Sequence, residues 1–412
     1  MTTEDDVDAQ ARAVRRTWLR ICLIASGCVL ALVVSGLAIA SSIDALWREA
    51  LEHAVSLAKR LPQTQARRVC LWGQTESGNA WEEYHAALRA IDTDPIDGRA
   101  AVRLLAAPSQ LDRREREALL RQAAPALDLL RAGAHRELAL MTLPTLPTQV
   151  GADPTAAVRR LTAVARLRAE HLAERNDADG AVQQLLDILQ FARDLMATPR
   201  WREEALGIDV IAATFDYLAA NDGLRLVRLP SQALSALDLG LADLDAGLPA
   251  RSLATLGDAV DLVLRLDHDP VLADELAVRA FGAWRYGCSA RAMAARYLEH
   301  IDQHARDAAE AHAHPGSDLL ANLLRLRGRL DSSSNPLTRR VAIEGQGDPR
   351  RRLHALVRLR LLRLAAQFRQ GRTPGPMPDP AGGVLTTALI EGQFRVGSRH
   401  AGAPNLTVAG TR

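Results

Sequence analysis

The chain has 412 residues, of which 48% are apolar and only 4% aromatic, and its formal net charge is +2. A core built from that supply rests on Leu, Ala and Val, residues that form or tolerate helix, and is poor in the aromatic residues that strands favour, so an all-β protein and a disordered chain are both excluded. Four cysteines in this length exclude a disulfide-dense scaffold.

The first element is apolar. Ile21 to Ile43 contains no charged residue, and its first 20 residues make ~30 Å of helix, enough to cross a bilayer. Arg12, Arg15, Arg16 and Arg20 precede this span, and Arg48 is the nearest cation after it. The positive-inside rule therefore predicts a cytoplasmic segment 1–20, a transmembrane helix 21–43 in the inner (plasma) membrane, and the rest outside. Ala38-Ile39-Ala40 also has the small-x-small form of a signal-peptide cleavage site, so an exported soluble protein cut near Ala40 is the alternative.

After the span, Asp44–Leu61 reads as a helix leaving the membrane. Trp81, Tyr84 and Leu88 then fall at i, i+3, i+7 on one helical face. Further helices are predicted at Arg99–Ala107, Leu111–His135, Pro154–Glu174, Ala178–Ala197, Arg200–Ala220, Ser231–Ala246, Ser252–Leu266, Val271–Phe281 and Ser289–Ala313. Asp153-Pro154, Asp269-Pro270 and Asp348-Pro349 each place a capping carboxylate before a proline at the first helical position. The stripes Val182, Leu185, Leu189, Ala192, Met196 and Ile208, Ile211, Phe215, Leu218 are core faces. The polar turn Arg175–Gly180 predicts an antiparallel helix pair. Residues 44–313 thus form a helical ectodomain.

Residues 314–348 read as a linker, because Pro315-Gly316, Asp331–Pro336 and Gly345-Gln346-Gly347 punctuate it. The tail, 349–412, opens with an amphipathic helix from Pro349 to Gln370. Leu353, Val357, Leu361, Leu364 and Phe368 line one face of it, with Arg351, Arg358 and Arg369 opposite. A proline-rich loop follows at 373–380, then a hairpin of Val384–Ile390 and Gln393–Val396 around Glu391-Gly392. Residues 320–412 hold 16 Arg against 5 Asp and Glu, a net of +11 that leaves −9 on the remainder. The apolar face predicts that this basic tail docks on the acidic body.

Chemistry is sparse. The chain contains no G-x-x-x-x-G-K-[ST], H-E-x-x-H, C-x-x-C or G-x-S-x-G. The one cluster with ligand spacing is His300, His304 and Asp307, at i, i+4, i+7 of a predicted helix, a set of imidazoles and a carboxylate that suits a divalent transition metal. Asp267-His268-Asp269 reads as structural, because Asp269 serves as a cap. Glu82-Glu83 and Glu203-Glu204 read as solvated faces or helix starts. Cys22 and Cys28 lie in the span. Cys70 and Cys288 lie outside it, where a bridge and two separate thiols are the alternatives.

The pair around Arg175–Gly180 resembles a tetratricopeptide unit, although no 34-residue period accompanies it. The stretches Asn79–Ala90, Leu161–Leu218 and the tail resemble uncharacterised single-pass bacterial envelope proteins. In the tail, Leu361–Gly371, Pro374, Pro378-Asp379-Pro380, Gly382-Gly383 and Phe394–Ser398 also look like the end of pilin-like secretion subunits. The span here is not followed at once by one long pilin helix and a compact sheet domain. The resemblance implies an envelope location and no particular activity, so no catalytic residue is carried over.

The expectation is an all-α, membrane-anchored scaffold or protein-interaction module, not an enzyme, with no cofactor. Its partners would be lipid through residues 21–43 and other envelope proteins, without nucleic acid. The alternative is a metal-binding or metal-dependent protein using His300 and His304.

Overall fold

Alanine- and leucine-rich sequence with few strand formers gives a helical protein, and the computed structural model is helical nearly throughout. It describes residues 4–61, 74–93, 112–140, 154–248, 253–269, 271–272, 287–313, 319–343, 348–400 and 402–409. Helices among these are α1 (Glu4–Arg60), α2 (Ala80–Thr93), α3 (Arg113–Ala134), α4 (Pro154–Glu174), α5 (Ala178–Ala197), α6 (Trp201–Val227), α7 (Ser231–Gly247), α8 (Ala254–His268), α9 (Gly287–Ala313), α10 (Leu319–Asp331), α11 (Pro336–Ile343) and α12 (Pro349–Arg369). The predicted helix Arg99–Ala107 and most of Val271–Phe281 lie outside the described residues.

Caps set several boundaries. Asp112 accepts from the Glu115 N–H at 2.7 Å while the Glu115 carboxylate accepts from the Asp112 N–H at 3.0 Å, closing a capping box on α3. Asp348 caps α12 ahead of Pro349, as its sequence predicts. Asp269 accepts from the N–H groups of Val271 and Leu272, at 3.0 and 3.2 Å. Asp177 accepts from Gly180 N–H at 2.9 Å and starts α5, which packs on α4.

The helices gather around two apolar cores. The larger joins α2–α7 and α12 with the C-terminal sheet, and Tyr84, Phe191 and Leu161 lie at its centre. The smaller joins Trp47, Ala50 and Ala54 of α1 to Leu256, Val260 and Val263 of α8 and to Leu298 and Ile301 of α9. The two cores meet where α8 packs on the turn between α5 and α6. Gly257 allows that approach, because a Cβ there would overlap the Pro199 carbonyl.

Two short sheets complete the fold. Strand β1 (Glu76–Asn79) pairs in parallel with β2 (Arg136–Leu138). The tail forms an antiparallel sheet of β3 (Thr386–Ile390), β4 (Gln393–Gly397) and β5 (Asn405–Ala409), in the order β3-β4-β5. The predicted hairpin is β3-β4, with Ile390 opposite Gln393. Its two-residue turn needs positive φ at both positions, and Glu391 and Gly392 have φ of 52° and 76°.

Three readings of the sequence are corrected. The segment 314–348 is not a bare linker: α10 and α11 occupy much of it, and Leu319, Leu323 and Leu330 are buried. The helix leaving the span is no separate element but the continuation of α1. Glu204 lies in the first turn of α6, as one of its two readings has it, but it is no solvated face: it is buried and ion-paired with the equally buried Arg352 of α12.

Candidate functional site

One helix among the described residues is long and apolar enough to cross a membrane, the stretch of α1 from Cys22 onward. Leu23, Leu32 and Leu37 are 70%, 73% and 66% exposed, so no protein surface covers them. Ser42, the polar residue at the end of this run, donates its hydroxyl to the Ala38 carbonyl at 2.8 Å and so satisfies itself within the helix. Burial begins abruptly at Trp47, which is 5% exposed and lies under the Arg291 guanidinium at 5.5 Å. His53 then approaches Asp302 of α9 at 3.0 Å, and Arg306 binds the same carboxylate. The apolar run and the α1 side of the small core therefore lie on one continuous helix, with no Gly or Pro between Gly36 and Arg60.

The basic tail is held by the body of its own chain. Leu353, Val357, Leu361 and Leu364 of α12 are buried against α6 and α7, and Phe368 stacks on Phe394 of β4 at 4.5 Å. Arg360 meets Asp245 at 2.9 Å, Arg351 meets Asp209 at 3.2 Å and Arg363 meets Asp238 at 3.5 Å. The charge asymmetry in the sequence is thus matched across an intramolecular contact. The exposed Arg351 pair contributes little, at most about 1 kcal/mol.

A cleft opens between the two cores, walled by Trp201 of α6, Leu256 of α8, Ile301, His304 and Ala308 of α9, and Leu323 of α10. It offers about 80 Å³ to water-sized groups, which at roughly 10–15 Å³ per water is room for a handful. Arg327–Asp348, at 3.3 Å, and Arg352–Glu204 close its polar rim. Burial pushes the His304 imidazole below its ordinary pKa against the weaker pull of Asp307, so the ring lining this cleft is neutral at neutral pH.

His300, His304 and Asp307 do share one face of α9, as their spacing implies, but they serve different neighbours. His300 Nδ1 lies 3.4 Å from the hydroxyls of Thr338 and Ser333. Asp307 accepts from Gln303 at 2.6 Å and faces Arg329 at 3.4 Å. Among the described residues no group of three or more His, Cys, Asp or Glu side chains is placed to hold a metal ion. Cys70 and the Cys288 side chain lie outside the described residues, while Cys22 and Cys28 are exposed free thiols on α1.

Polar groups that pattern reading passed over line the large core. Tyr84 donates to Asp194 at 2.7 Å, Gln190 donates to the other oxygen of the same carboxylate at 3.0 Å, and His135 approaches Asp187 at 3.2 Å. All five are buried. No local signal in the sequence marks them: Gln183, Asp187, Gln190 and Asp194 form a polar stripe along α5 that reads as a solvent-facing side, and only the fold shows that most of it is buried.

The joint between the cores carries one titrating group. Asp258 of α8 accepts the Trp201 N–H at 3.0 Å, and beside it Asp261 accepts from Arg200 at 2.9 Å and pairs with Arg265 at 2.9 Å. Burial pushes the Asp258 carboxyl up to about 7; the Trp201 hydrogen bond and Arg200 oppose this, and Glu203 and Asp261 add to it. The folded protein therefore binds a proton here that the unfolded chain loses near its ordinary value of 3.8. Stability from this group is complete below about pH 4 and is lost as pH rises to about 7. Asp258→Asn is expected to remove that decline, so that its advantage over wild type in thermal melts grows between pH 4 and 7.5. Parallel stability profiles for the two proteins would contradict this.

Comparison with protein-family models, with curated proteins and with solved structures returned no match. The class that fold and geometry define is an all-α protein with one N-terminal helix of membrane-spanning length and a small C-terminal sheet.

Proposed function

We propose that this chain is a single-pass membrane-anchored protein of the bacterial cell envelope, with a cytoplasmic N-terminus and a body outside the inner membrane that acts as a non-enzymatic scaffold for other envelope proteins. The observation that carries the reading is the passage of α1, without a break, from a fully exposed apolar run into a buried core. Cleavage near Ala40 would leave the helix stub that carries Trp47 in place, but it would strip away the apolar run that makes α1 an anchor. Four arginines before the span and one soon after it support the orientation.

A reporter active only after export, fused after residue 60, is expected to be active, and the mature protein to keep its full-length mass. Activity of a cytoplasm-only reporter at that position would reverse the orientation, and loss of about the first 40 residues would replace the anchor by a leader. In-cell cross-linking tests the scaffold reading: recovery of the chain without any other envelope protein counts against it.

A further inference from the structure

The two edges of the C-terminal sheet differ. Strand β5 packs against α6, and Arg369 of α12 binds the Ala409 carbonyl at 3.2 Å, so that edge is covered. Strand β3 is exposed along its whole length. Two features that usually blunt an edge are missing from it: Thr386–Ile390 contains no charge and no proline.

The register shows which backbone groups are open. Ile390 opposite Gln393 closes the two-residue turn and is a hydrogen-bonded pair. Alternation then makes Ala388 and Thr386 hydrogen-bonded to β4, whereas the N–H and C=O of Thr387 and Leu389 point away from the sheet. The opening is bounded at both ends. The Met377 carbonyl accepts the Leu385 N–H at 3.0 Å on the outer side, and the turn ends the strand at Ile390.

We propose that this edge is the contact between two copies of the chain, paired antiparallel about a two-fold axis at Ala388. That register sets Thr387 opposite Leu389 of the second copy and Leu389 opposite its Thr387, so all four open groups on each copy find partners. Centring on Thr387 would drive the second copy into the Met377 segment, and centring on Leu389 would satisfy only half the groups. An uncharged strand meets its own copy without like-charge repulsion. Side chains agree with the backbone. Val408, Phe394 and Leu389 form one row across the inner face of the sheet, and their exposures are 0%, 4% and 67%. The row is a core that continues past its cover, and a second β3 extends the sheet beneath it.

The test is cysteine cross-linking of the full chain in detergent, with Cys22, Cys28, Cys70 and Cys288 replaced by Ala. In the proposed register Ala388 faces itself across a non-hydrogen-bonded pair, at a Cα separation of about 4.5 Å that a disulfide can bridge. Two Thr387 positions lie two residues out of step, beyond its reach. Under mild oxidation Ala388→Cys is expected to give at least about tenfold more cross-linked dimer than Thr387→Cys. Adding Leu389→Lys, at an exposed position, should bring the yield down to the Thr387→Cys level. Equal yields from Ala388→Cys and Thr387→Cys, or a yield indifferent to Leu389→Lys, would overturn the proposal. So would a chain that stays monomeric and takes up an extended peptide of another protein on this edge.

Discussion

Leu361→Asp is expected to shift the thermal melt of the full chain in detergent down by more than about 10 °C, whereas Arg358→Ala moves it by a few degrees at most. Leu361 is fully buried where α12 meets the body. Losing its burial removes about 1.5–3 kcal/mol, and placing a carboxylate among Leu and Val side chains adds a further penalty of several kcal/mol. Together these approach the whole stability of an ordinary domain, about 5–15 kcal/mol. Arg358 is only half-buried, with its guanidinium 5.9 Å from the Phe215 ring, a contact of about 0.5–1 kcal/mol. Because the apolar face does the holding, the difference between the two variants should persist in high salt, which screens the exposed arginine pairs. A Leu361→Asp protein that melts like wild type would show that α12 does not secure the tail.

The second large effect falls on the buried pair. Arg352→Met should cost about 3–5 kcal/mol, because it leaves the Glu204 carboxylate desolvated without its cation. Glu204 and Arg352 are 4% and 5% exposed, and Arg352 also donates to the Met196 carbonyl at 3.3 Å. Removing both charges together, in Arg352→Met with Glu204→Leu, should recover most of the loss, since an apolar pair of similar volume is often as stable as a buried ion pair. Denaturant melts of the two single variants and the double variant give the coupling directly. Additive losses would mean that the two side chains act independently.

Local periodicity made most helices legible. The stripes on α5 and α6 are buried, the Asp-Pro start of α12 is a cap, and Gly371, at a φ of 75°, follows the end of that helix. What escaped depends on distant parts of the chain. Glu204 looks like any acid in the first turn of a helix until Arg352, 148 residues away, is folded against it. Strand β1 has no apolar alternation, and what ties it down is largely Asn79, whose side chain bonds both the N–H and the carbonyl of Leu140, at 3.0 and 2.9 Å. Residues 314–348 were misread because their Pro, Gly and Ser punctuation is real but leaves room between marks for α10 and α11. His300, His304 and Asp307 were correctly placed on one face, yet spacing fixes only where side chains start. The hydroxyls of Ser333 and Thr338, the cleft and Arg329 draw them to different neighbours.

The unbroken course of α1 has a mechanical corollary. A helix advances about 1.5 Å and turns about 100° with each residue. Because the helix runs unbroken from the exposed apolar run to Trp47, the number of residues from the run to the core sets the height and the compass bearing of everything built on it. One residue inserted near Ser42 would swing the whole body about a quarter-turn, and four would bring it nearly back into phase. Segment length in this stretch is therefore an angular coordinate, and a surface on the body faces its neighbours only at certain values of it.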